Sequence, residues 1–513
     1  MKNFKKLLTK LPIFIVGTFT CIFLFLLLFS VFTNAPRELR DTANVSFSLR
    51  LANMENPYKL SDNYEFAESI NVYPPLNMLI ASFFYILTRI NLFRIFYCLD
   101  FLYVVLSAAV ITCFIKKEFK ISALLSLLTF AAALTLGWRT GFISTVPDHL
   151  GMLICILLLI SAQKDKSILM QSLLTVLAFY SKQYFLAIAA TVFIWHLLRN
   201  RQKAVQYFLC TAVIGLLSFG AICLICPSFS VQIIFFMFAE NEGMNLDKII
   251  YSLKQMILAF ATYGIYILFT AKKYILSIRS FIFKKKPISF TIFDINNVIM
   301  FFVLLYLGTN KGAFLSYHLT LLIPGILITG TLEIHSFLQK TQEKIKYPAE
   351  LLICIISLAL LYKKYQFPYI YSENDYIQYS RVESVLSQYN QEKVYLTPQL
   401  GYYAFLHQSM PAENGHAEYI ISLADSKIVN TPINIDTTAT LFPYITDIYA
   451  YSVDRKNEII SSVQNQEFSL ITRLNGSTML YDYDISEKYE CIESIPLRTG
   501  LQNYSVQLWI PKK

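Results

Sequence analysis

The sequence predicts an all-α polytopic membrane protein with about 11 transmembrane helices, followed by a C-terminal extracytoplasmic α/β domain. Hydrophobic residues make up 55% of the 513-residue chain, and charged residues only 15%. Basic clusters alternate with long apolar runs, and the last 150 residues are more polar and acidic. Soluble chains carry charge on about a quarter of their residues. The composition therefore predicts a membrane protein, and the patterning predicts its division into spans and a tail.

The composition also excludes several classes of protein. A soluble multidomain enzyme or a disordered chain would be far less apolar. Nine cysteines in 513 residues are too sparse for a disulfide scaffold. The net charge of +10 does not indicate a nucleic-acid partner, because residues 364–513 hold 11 basic and 17 acidic residues, and the positive charge belongs to residues 1–363. Membrane lipids are the predicted surroundings, and no nucleic acid is predicted as a partner.

The basic residues of the first part fall between apolar runs, as cytoplasmic loops do under the positive-inside rule. The clusters lie at 2–10, 116–120, 164–166, 199–203, 272–286 and 340–346. Placing each of them in the cytoplasm predicts eleven spans, at 12–33, 95–115, 121–137, 149–162, 167–180, 184–198, 205–226, 249–271, 290–308, 317–335 and 349–363. The N-terminus then lies in the cytoplasm and the C-terminus outside.

Two of the apolar runs need separate interpretation. The first run, 12–33, follows a basic start and lacks a small-residue cleavage site, so it is predicted to be an uncleaved signal anchor. The run from Pro74 to Leu92 is flanked at its end by Arg89 and Arg94. Counting it as a crossing would turn the later basic clusters outward. It is therefore predicted to be a juxtamembrane or re-entrant helix on the outer side.

This topology predicts two domains. Residues 1–363 form the transmembrane domain, whose first outer loop covers residues 34–94 and carries juxtamembrane helices. Residues 364–513 form an extracytoplasmic soluble domain, with a helical stretch at Val382–Tyr389 and strand-like runs at 394–397, 468–471 and 504–510. A small α/β domain is the natural interpretation of this alternation.

The residues that could carry chemistry concentrate in the first outer loop. No phosphate loop, zinc motif or nucleophile elbow occurs in the sequence. Just beyond the first span the loop carries Arg37, Glu38, Arg40 and Asp41, followed by an amphipathic stretch from Val45 to Met54 and the motifs Asn56-Pro57-Tyr58 and Val72-Tyr73-Pro74-Pro75-Leu76.

This order of features resembles the GT-C superfamily of polyprenol-phosphate-dependent membrane glycosyltransferases, which includes the protein O-mannosyltransferases and the bacterial aminoarabinose transferase. In that family an acidic residue just after the first span precedes a juxtamembrane helix, an Asn-Pro-Tyr-like turn and a Pro-Pro-Leu-like element. Asp41 stands in the acidic position, 15 residues before Asn56. The chain departs from the family at Thr42, where a second acid is common, which leaves the substrate open.

Further segments extend the resemblance over most of the chain. Residues 146–150, Val-Pro-Asp-His-Leu, resemble the second outer acidic site of the family. Residues 178–183, Ala-Phe-Tyr-Ser-Lys-Gln, resemble its Thr-Lys-Gln turn between two spans. Tyr317-His318 and the ending at 508–512 match such transferases loosely. The resemblance implies a GT-C-like transmembrane domain and a glycosyltransferase that takes a polyprenyl-phosphate sugar donor and a lipid, glycan or protein acceptor.

The chemistry of such a donor suits these residues. A phosphate leaves without protonation near neutral pH, so one carboxylate base suffices, and a single displacement by an acceptor hydroxyl inverts the anomeric carbon. The catalytic candidates are Asp41, as the base, with Glu38 and Asp148. The candidates for binding the donor phosphate are Lys182, Arg139, Arg37 and Arg40, and those for lining the substrate cavity are Tyr58, Tyr73 and His318. No cofactor is assigned, a divalent cation is left open, and no metal ligands are assigned.

Structural alternatives stand beside these roles. Asp41 could cap a helix that begins near Ala43, and Asp148 could also be an N-cap. Lys182 could extend to lipid head groups, and His318 could be a hydrogen-bonded structural residue. Arg37 and Arg40 could pair with Glu38 or with lipid phosphates. Asp100, inside a predicted span, is expected to face the bundle interior, with no partner identified.

Two other functions remain in competition. A transporter or flippase for a lipid-linked glycan would also need outer basic residues and membrane acids, but transporters usually consist of two related halves. The first outer loop and the tail have no counterpart elsewhere in this chain. A structural protein of the cell envelope would explain the tail but not the charged residues of the loop. The Lys-, Ile-, Phe- and Tyr-rich composition favours a bacterial plasma membrane as the location.

Overall fold

The computed structural model describes residues 2–32, 39–58, 73–136, 145–226, 228–230, 233, 246–284, 290–310, 316–363, 373–389, 391–397, 400, 412–414, 457–480, 483–499 and 502–513. Helices make up nearly all of the described part of residues 2–363. They are α1 (Lys2–Ser30), α2 (Leu39–Ala52), α3 (Leu76–Thr88), α4 (Leu92–Phe119), α5 (Ala123–Leu134), α6 (Asp148–Gln163), α7 (Ile168–Ser181), α8 (Ile188–Arg199), α9 (Arg201–Ile225), α10 (Leu246–Phe260), α11 (Gly264–Lys284), α12 (Ile292–Asn310), α13 (Ile323–Lys340) and α14 (Glu343–Lys363).

The apolar runs form these helices. The predicted span 249–271 covers parts of both α10 and α11, which a 3₁₀ turn at Ala261–Tyr263 separates, and each of the other predicted spans overlaps one α-helix. Five helical stretches are long and apolar enough, by length and composition, to cross a membrane among the described residues. They are Lys10–Ser30, Leu92–Phe119, Arg201–Ile225, Leu246–Phe283 and Ile345–Tyr362. Shorter apolar helices complete the bundle. The protein is a mostly helical, multi-span membrane protein. The exact number of crossings and their orientation stay predictions.

The first outer loop contains two helices, as the sequence predicts. The amphipathic stretch forms α2, and the apolar stretch after the two prolines forms α3. The hydroxyl of Ser82 on α3 donates to the backbone carbonyl of Ser48 on α2, with 2.8 Å between the oxygens. α3 ends at Thr88, its C-cap Arg89 has a left-handed backbone (φ 56°), and α4 follows after Asn91, whose side chain accepts the N–H of Phe93. Helix α3 therefore packs on α2 and turns directly into α4.

The C-terminal part is a small mixed sheet with helices, which agrees with the predicted α/β class. Helix α15 (Glu373–Ser387) begins nine residues before the predicted stretch at Val382–Tyr389. The strands are β1 (Val394–Leu396), β2 (Ala412–Asn414), β3 (Leu470–Leu474), β4 (Met479–Leu480), β5 (Tyr483–Asp484), β6 (Tyr489–Thr499) and β7 (Gln502–Pro511). The five-stranded sheet has the order β2-β1-β3-β7-β6, and β4 pairs with β5. The domain boundaries at 363 and 364 stay predictions.

The two faces of this sheet follow from the alternation of side chains along each strand. Val394 and Leu396 pack with residues of α15, such as Leu386, on one face. Tyr395 packs on the other face with Val463, from a helix at 457–464. β1 runs parallel to both of its neighbours, whereas β7 runs antiparallel to β3 and β6. Each face of the sheet is thus covered by a helix.

Candidate functional site

The candidate site lies where two breaks between helices meet. Helix α6 begins at Asp148, directly after Pro147. Helix α7 ends at Ser181, and Lys182 then has an extended backbone (φ −160°, ψ 138°). A 3₁₀ turn at Gln183–Ala187 follows and leads into α8. At such breaks polar side chains can enter a bundle whose helices are otherwise apolar.

Lys182 and Asp148 form an ion pair inside this bundle. The ammonium of Lys182 donates to both carboxylate oxygens of Asp148, at 3.0 and 3.1 Å. The hydroxyl of Tyr184 donates to the same carboxylate. The side chains of Lys182 and Asp148 are only 7% and 1% exposed. Charges interact more strongly in such a low-dielectric interior than at a surface, and removing one partner of a buried pair typically costs about 3–5 kcal/mol.

Two aromatic rings also contact the Lys182 ammonium. Its Nζ lies 5.1 Å from the centroid of the Tyr73 ring and 5.0 Å from that of Tyr184. Both distances are within the range of cation–π attraction. An ammonium between a carboxylate and two aromatic faces remains a compact positive charge with three N–H donors, which suits binding of a phosphate.

The Asn-Pro-Tyr turn supports Tyr73. The side-chain oxygen of Asn56 accepts the backbone N–H of Tyr58 at 3.0 Å, and the guanidinium of Arg50 donates to the carbonyl of Asn56. The turn directs the Tyr58 hydroxyl to the backbone carbonyl of Tyr73, at 2.6 Å. The ring of Tyr58 packs edge-on against Phe229, with 4.8 Å between centroids. The structure therefore brings together the two tyrosines that the sequence assigned to the substrate cavity.

His318 reaches the same site from the other end of the chain. It lies in a 3₁₀ turn, Ser316–Leu321, that precedes α13, and it is buried. Its ring contacts that of Tyr184 edge-on, with 5.4 Å between centroids. Tyr184, which the sequence did not identify, thus links His318 to the ion pair.

The beginning of α6 is also tied to the first outer loop. The amide of Asn44 on α2 donates to the hydroxyl of Thr145, and the amide of Asn77 on α3 donates to the carbonyl of the same residue, both at 3.0 Å. All three side chains are buried. The two juxtamembrane helices are therefore held beside the candidate site.

A second buried pair lies next to the first. His149 Nδ1 is 2.8 and 2.9 Å from the two carboxylate oxygens of Asp100 on α4. The expectation that Asp100 faces the bundle interior is thus confirmed, and His149 is its partner. The sequence motifs did not identify this pair, because its two residues lie on different helices, 49 positions apart along the chain.

Gly151 allows the 3₁₀ turn to pack against α6. A β-carbon at this position would lie 2.0 Å from Cε2 of Phe185, which is inside the closest contact that atoms allow. Phe185 is fully buried, and it follows Tyr184 in the same turn. The absence of a side chain at Gly151 therefore sets the separation between the first turn of α6 and the segment that carries Lys182 and Tyr184.

The remaining predicted residues are not tested by the geometry. Arg37, Glu38 and Arg139 lie outside the described residues. Arg40 and Asp41 lie within the first three residues of α2, which begins at Leu39. Their catalytic and phosphate-binding roles stay predictions.

The structure overturns three of the structural alternatives. Asp148 is not an N-cap, because Pro147 occupies that position and Asp148 is the first helical residue. Asp41 does not cap a helix that begins near Ala43, because α2 begins earlier, at Leu39. Lys182 does not extend to lipid head groups, because its ammonium is buried against Asp148.

The described residues contain no group of three or more His, Cys, Asp or Glu side chains arranged to hold a metal ion. The two pairs around α6 each join one carboxylate to one nitrogen group through hydrogen bonds.

Comparisons with known proteins identify the fold. No protein-family model matches the chain, and no curated protein matches it in sequence. Two crystal structures of ArnT from Cupriavidus metallidurans are similar to it. The structure bound to undecaprenyl phosphate gives a TM-score of 0.55 at 11% identity, and the apo structure gives 0.56 at 12% identity. Each match covers 96% of this chain and 97% of the ArnT chain.

The chain has the ArnT fold. The match shows the fold alone, and at that level it confirms the resemblance inferred from the sequence motifs. The match covers 96% of the chain, so it includes the helical bundle and the small C-terminal mixed sheet.

Proposed function

We propose that this protein is a membrane glycosyltransferase that moves a sugar from a polyprenyl-phosphate donor to an acceptor hydroxyl at the outer membrane face. One observation carries the proposal. In a chain with the ArnT fold, the buried ammonium of Lys182 is held between Asp148 and two tyrosine rings, beside the two helices of the first outer loop. The ArnT structure with undecaprenyl phosphate supports a lipid phosphate as the ligand.

In the proposed reaction the acceptor oxygen forms a bond to the anomeric carbon of the sugar. The bond between that carbon and the phosphate oxygen breaks, and the phosphate leaves with the electron pair. The proton of the acceptor hydroxyl goes to the carboxylate of Asp41, the proposed general base, and the configuration inverts. Lys182 stabilises the charge on the phosphate, with Arg37, Arg40 and Arg139 as further proposed contacts.

The contacts of Asp148 argue for a positioning role in place of the catalytic role first considered. Its carboxylate accepts hydrogen bonds from Lys182 and from Tyr184. A carboxylate so occupied is a poor acceptor for another proton, whereas it fixes the Lys182 ammonium in one place. Asp148 is therefore proposed to hold the phosphate-binding lysine, and Asp41 to act as the base.

The proposal includes an orientation. The N-terminus lies in the cytoplasm of a bacterial cell, the bundle crosses the plasma membrane, and the C-terminal sheet lies outside. Lipid-linked donors are then presented at the outer ends of α6, α7 and α9.

Reconstitution tests this function. The purified protein in liposomes is offered a panel of polyprenyl-phosphate sugars with lipid, glycan and peptide acceptors, and the release of polyprenyl phosphate is measured. Release that requires both the protein and an acceptor supports the transferase. Movement of an intact donor between the leaflets, without release of polyprenyl phosphate, would instead establish the competing flippase.

A further inference from the structure

The pair formed by Asp100 and His149 has no part in the proposed reaction, although it is as deeply buried as the pair of Asp148 and Lys182. The side chains of His149 and Asp100 are 2% and 4% exposed. His149 also hydrogen-bonds the backbone of Leu136, two residues after the end of α5. Ionisable groups inside a membrane bundle are costly and usually serve a function.

The two pairs are connected because one residue of each lies in the first turn of α6. Asp148 and His149 are the first two residues of α6, and consecutive helical residues point in directions about 100° apart. Asp148 therefore reaches α7 and the 3₁₀ turn, whereas His149 reaches α4. Rotation or translation of this first turn would change both pairs together.

The first turn of α6 also lacks the usual local support. Pro147 occupies the N-cap position and makes no capping hydrogen bond through its side chain. Contacts with other helices take the place of a cap. They are the bond between His149 and Asp100, the hydrogen bonds of Thr145 with Asn44 and Asn77, and the packing of Phe185 over Gly151.

We propose that Asp100 and His149 are positioning residues. Their hydrogen bond fixes the first turn of α6 against α4 and so holds the Asp148 carboxylate where Lys182 and Tyr184 donate to it. The Lys182 ammonium is thereby preorganised to bind a phosphate. This inference rests on the proposed function, because it gives the pair a role in binding the donor phosphate. Neither residue touches the substrate in this scheme.

The test uses substitutions in the full-length protein. His149→Ala and Asp100→Leu remove the bond. Asp100→Asn keeps an oxygen that can accept the N–H of His149. His196→Ala is the matched control, because His196 is buried and its Nε2 lies 2.7 Å from the side-chain oxygen of Gln171, at the ends of α7 and α8 opposite to Lys182.

Two measurements are made on each variant. The first is the Kd for undecaprenyl phosphate in detergent, determined also in the Lys182→Ala background. The second needs no ligand: it is the rate at which N-hydroxysuccinimide acetate acylates Lys182, followed by mass spectrometry. Thermal unfolding records the loss of stability, which His149→Ala and His196→Ala should share.

We expect His149→Ala and Asp100→Leu to raise the Kd about tenfold and to speed the acylation of Lys182. Asp100→Asn should have a Kd and an acylation rate close to those of the wild type. His196→Ala should change neither the Kd nor the acylation rate. In the Lys182→Ala background, His149→Ala should add little to the Kd. Equal effects of His149→Ala and His196→Ala on both measurements would overturn the inference, as would fully additive effects of His149→Ala and Lys182→Ala.

The two readouts also separate this inference from the proposed function. A wild-type protein that fails to bind undecaprenyl phosphate contradicts the proposed function. Acylation of Lys182 still decides the positioning role in that case, because an ion pair released by His149→Ala exposes the amine whatever the ligand is.

Discussion

Lys182 is a single charged side chain held inside a membrane bundle by a carboxylate and two tyrosine rings. The residue before it ends one helix, and the residue after it begins a 3₁₀ turn. Its ammonium is therefore fixed without lying on the regular face of any helix. At this scale the protein uses a break in its secondary structure to place a charge.

Replacing Lys182 tests its role toward the donor. Lys182→Ala should raise the apparent KM for the polyprenyl-phosphate sugar more than it lowers kcat, provided that substrate and transition state use the contact equally. Lys273→Ala is the matched control, because it breaks the buried pair of Lys273 with Asp294, at 2.7 Å, elsewhere in the bundle. Equal kinetic effects of the two variants would contradict a donor-binding role for Lys182.

Asp41 carries the second prediction at this scale. Asp41→Asn keeps the size of the side chain but removes the base, so turnover should fall roughly 10²- to 10⁴-fold with little change in folding. Asp247 in the first turn of α10 is a comparable acidic residue at the beginning of a helix, and Asp247→Asn should leave turnover unchanged. A folded Asp41→Asn protein with full activity would exclude Asp41, and Glu38 would become the next candidate.

The candidate site could be predicted only in part from individual residues. Asp148, Lys182, Tyr73, Tyr58 and His318 stand in motifs, and the structure brings all five together. The pair of Asp100 and His149 joins helices that are 49 positions apart, so no local pattern reveals it.

Local patterns missed two further features for a similar reason. Tyr184 was missed because one tyrosine among 34 has no distinguishing pattern until its hydroxyl meets Asp148. The alternative role of Lys182 failed because its partner, Asp148, lies on another helix, whereas that of Asp148 failed because α6 begins at Asp148 itself, with Pro147 at the N-cap position.

At the scale of elements, the contact between α6 and the 3₁₀ turn depends on Gly151. Gly151→Ala should displace Phe185 and with it the segment that carries Lys182 and Tyr184, since the new methyl group has no room. We expect donor affinity to fall and stability to drop by about 1–3 kcal/mol, the usual cost of overpacking.

Gly220→Ala supplies the control for that substitution. Gly220 also lies within an apolar helix, but a β-carbon there meets nothing within 4 Å. This variant should be neutral or slightly stabilising. Thermal unfolding and binding of undecaprenyl phosphate are measured for both. A Gly151→Ala protein that matches Gly220→Ala in both would show that the close contact has no role.

The C-terminal sheet provides a prediction about pH. Hydrogen bonds from Lys393 and Ser462 lower the pKa of Glu467 below its ordinary value of 4.5. The ionised form is thus favoured in the folded state, and its contribution to stability is present above pH 4.5 and lost as the pH falls through the lowered pKa.

The measurement uses the domain expressed from about Tyr371, which should be soluble and unfold cooperatively. Glu467→Gln should flatten the acid side of its stability curve below about pH 5. Because Glu467 lies at the surface, the difference should be small and should shrink in high salt. A variant whose acid sensitivity equals that of the wild type would contradict the role of Glu467, and a disordered fragment would show that the sheet needs the bundle.

The sequence predicted some strands of the C-terminal sheet and missed others. Strands β1, β3 and β7 were identified, because apolar and β-branched residues mark them. Strand β6 was missed, because its exposed polar side chains, such as Glu490 and Ser494, break the apolar pattern while its backbone pairs with β7. Sheet pairing, which the sequence does not express locally, decides its conformation.

At the scale of the whole molecule, the orientation in the membrane is the main prediction. Cys491 is exposed in β6 and lies in the domain predicted to be outside. A maleimide that cannot cross membranes should therefore label Cys491 in intact cells, with Cys491→Ser as the control. Labelling that requires permeabilised cells would reverse the topology and remove the argument for an outer site.

Helix α9 connects the surrounding bilayer to the candidate site. It packs mainly against α7 and α8. In its most apolar stretch of 18 residues, no side chain is buried. Its 25 residues span about 37 Å. A hydrocarbon layer is about 30 Å thick, so α9 is long enough to cross it with some tilt, and how it fits depends on acyl-chain length. The C-terminal end of α9 leads through Cys226 to Phe229, whose ring packs against that of Tyr58. Kinetic comparisons between variants therefore belong in bilayers of one fixed lipid composition.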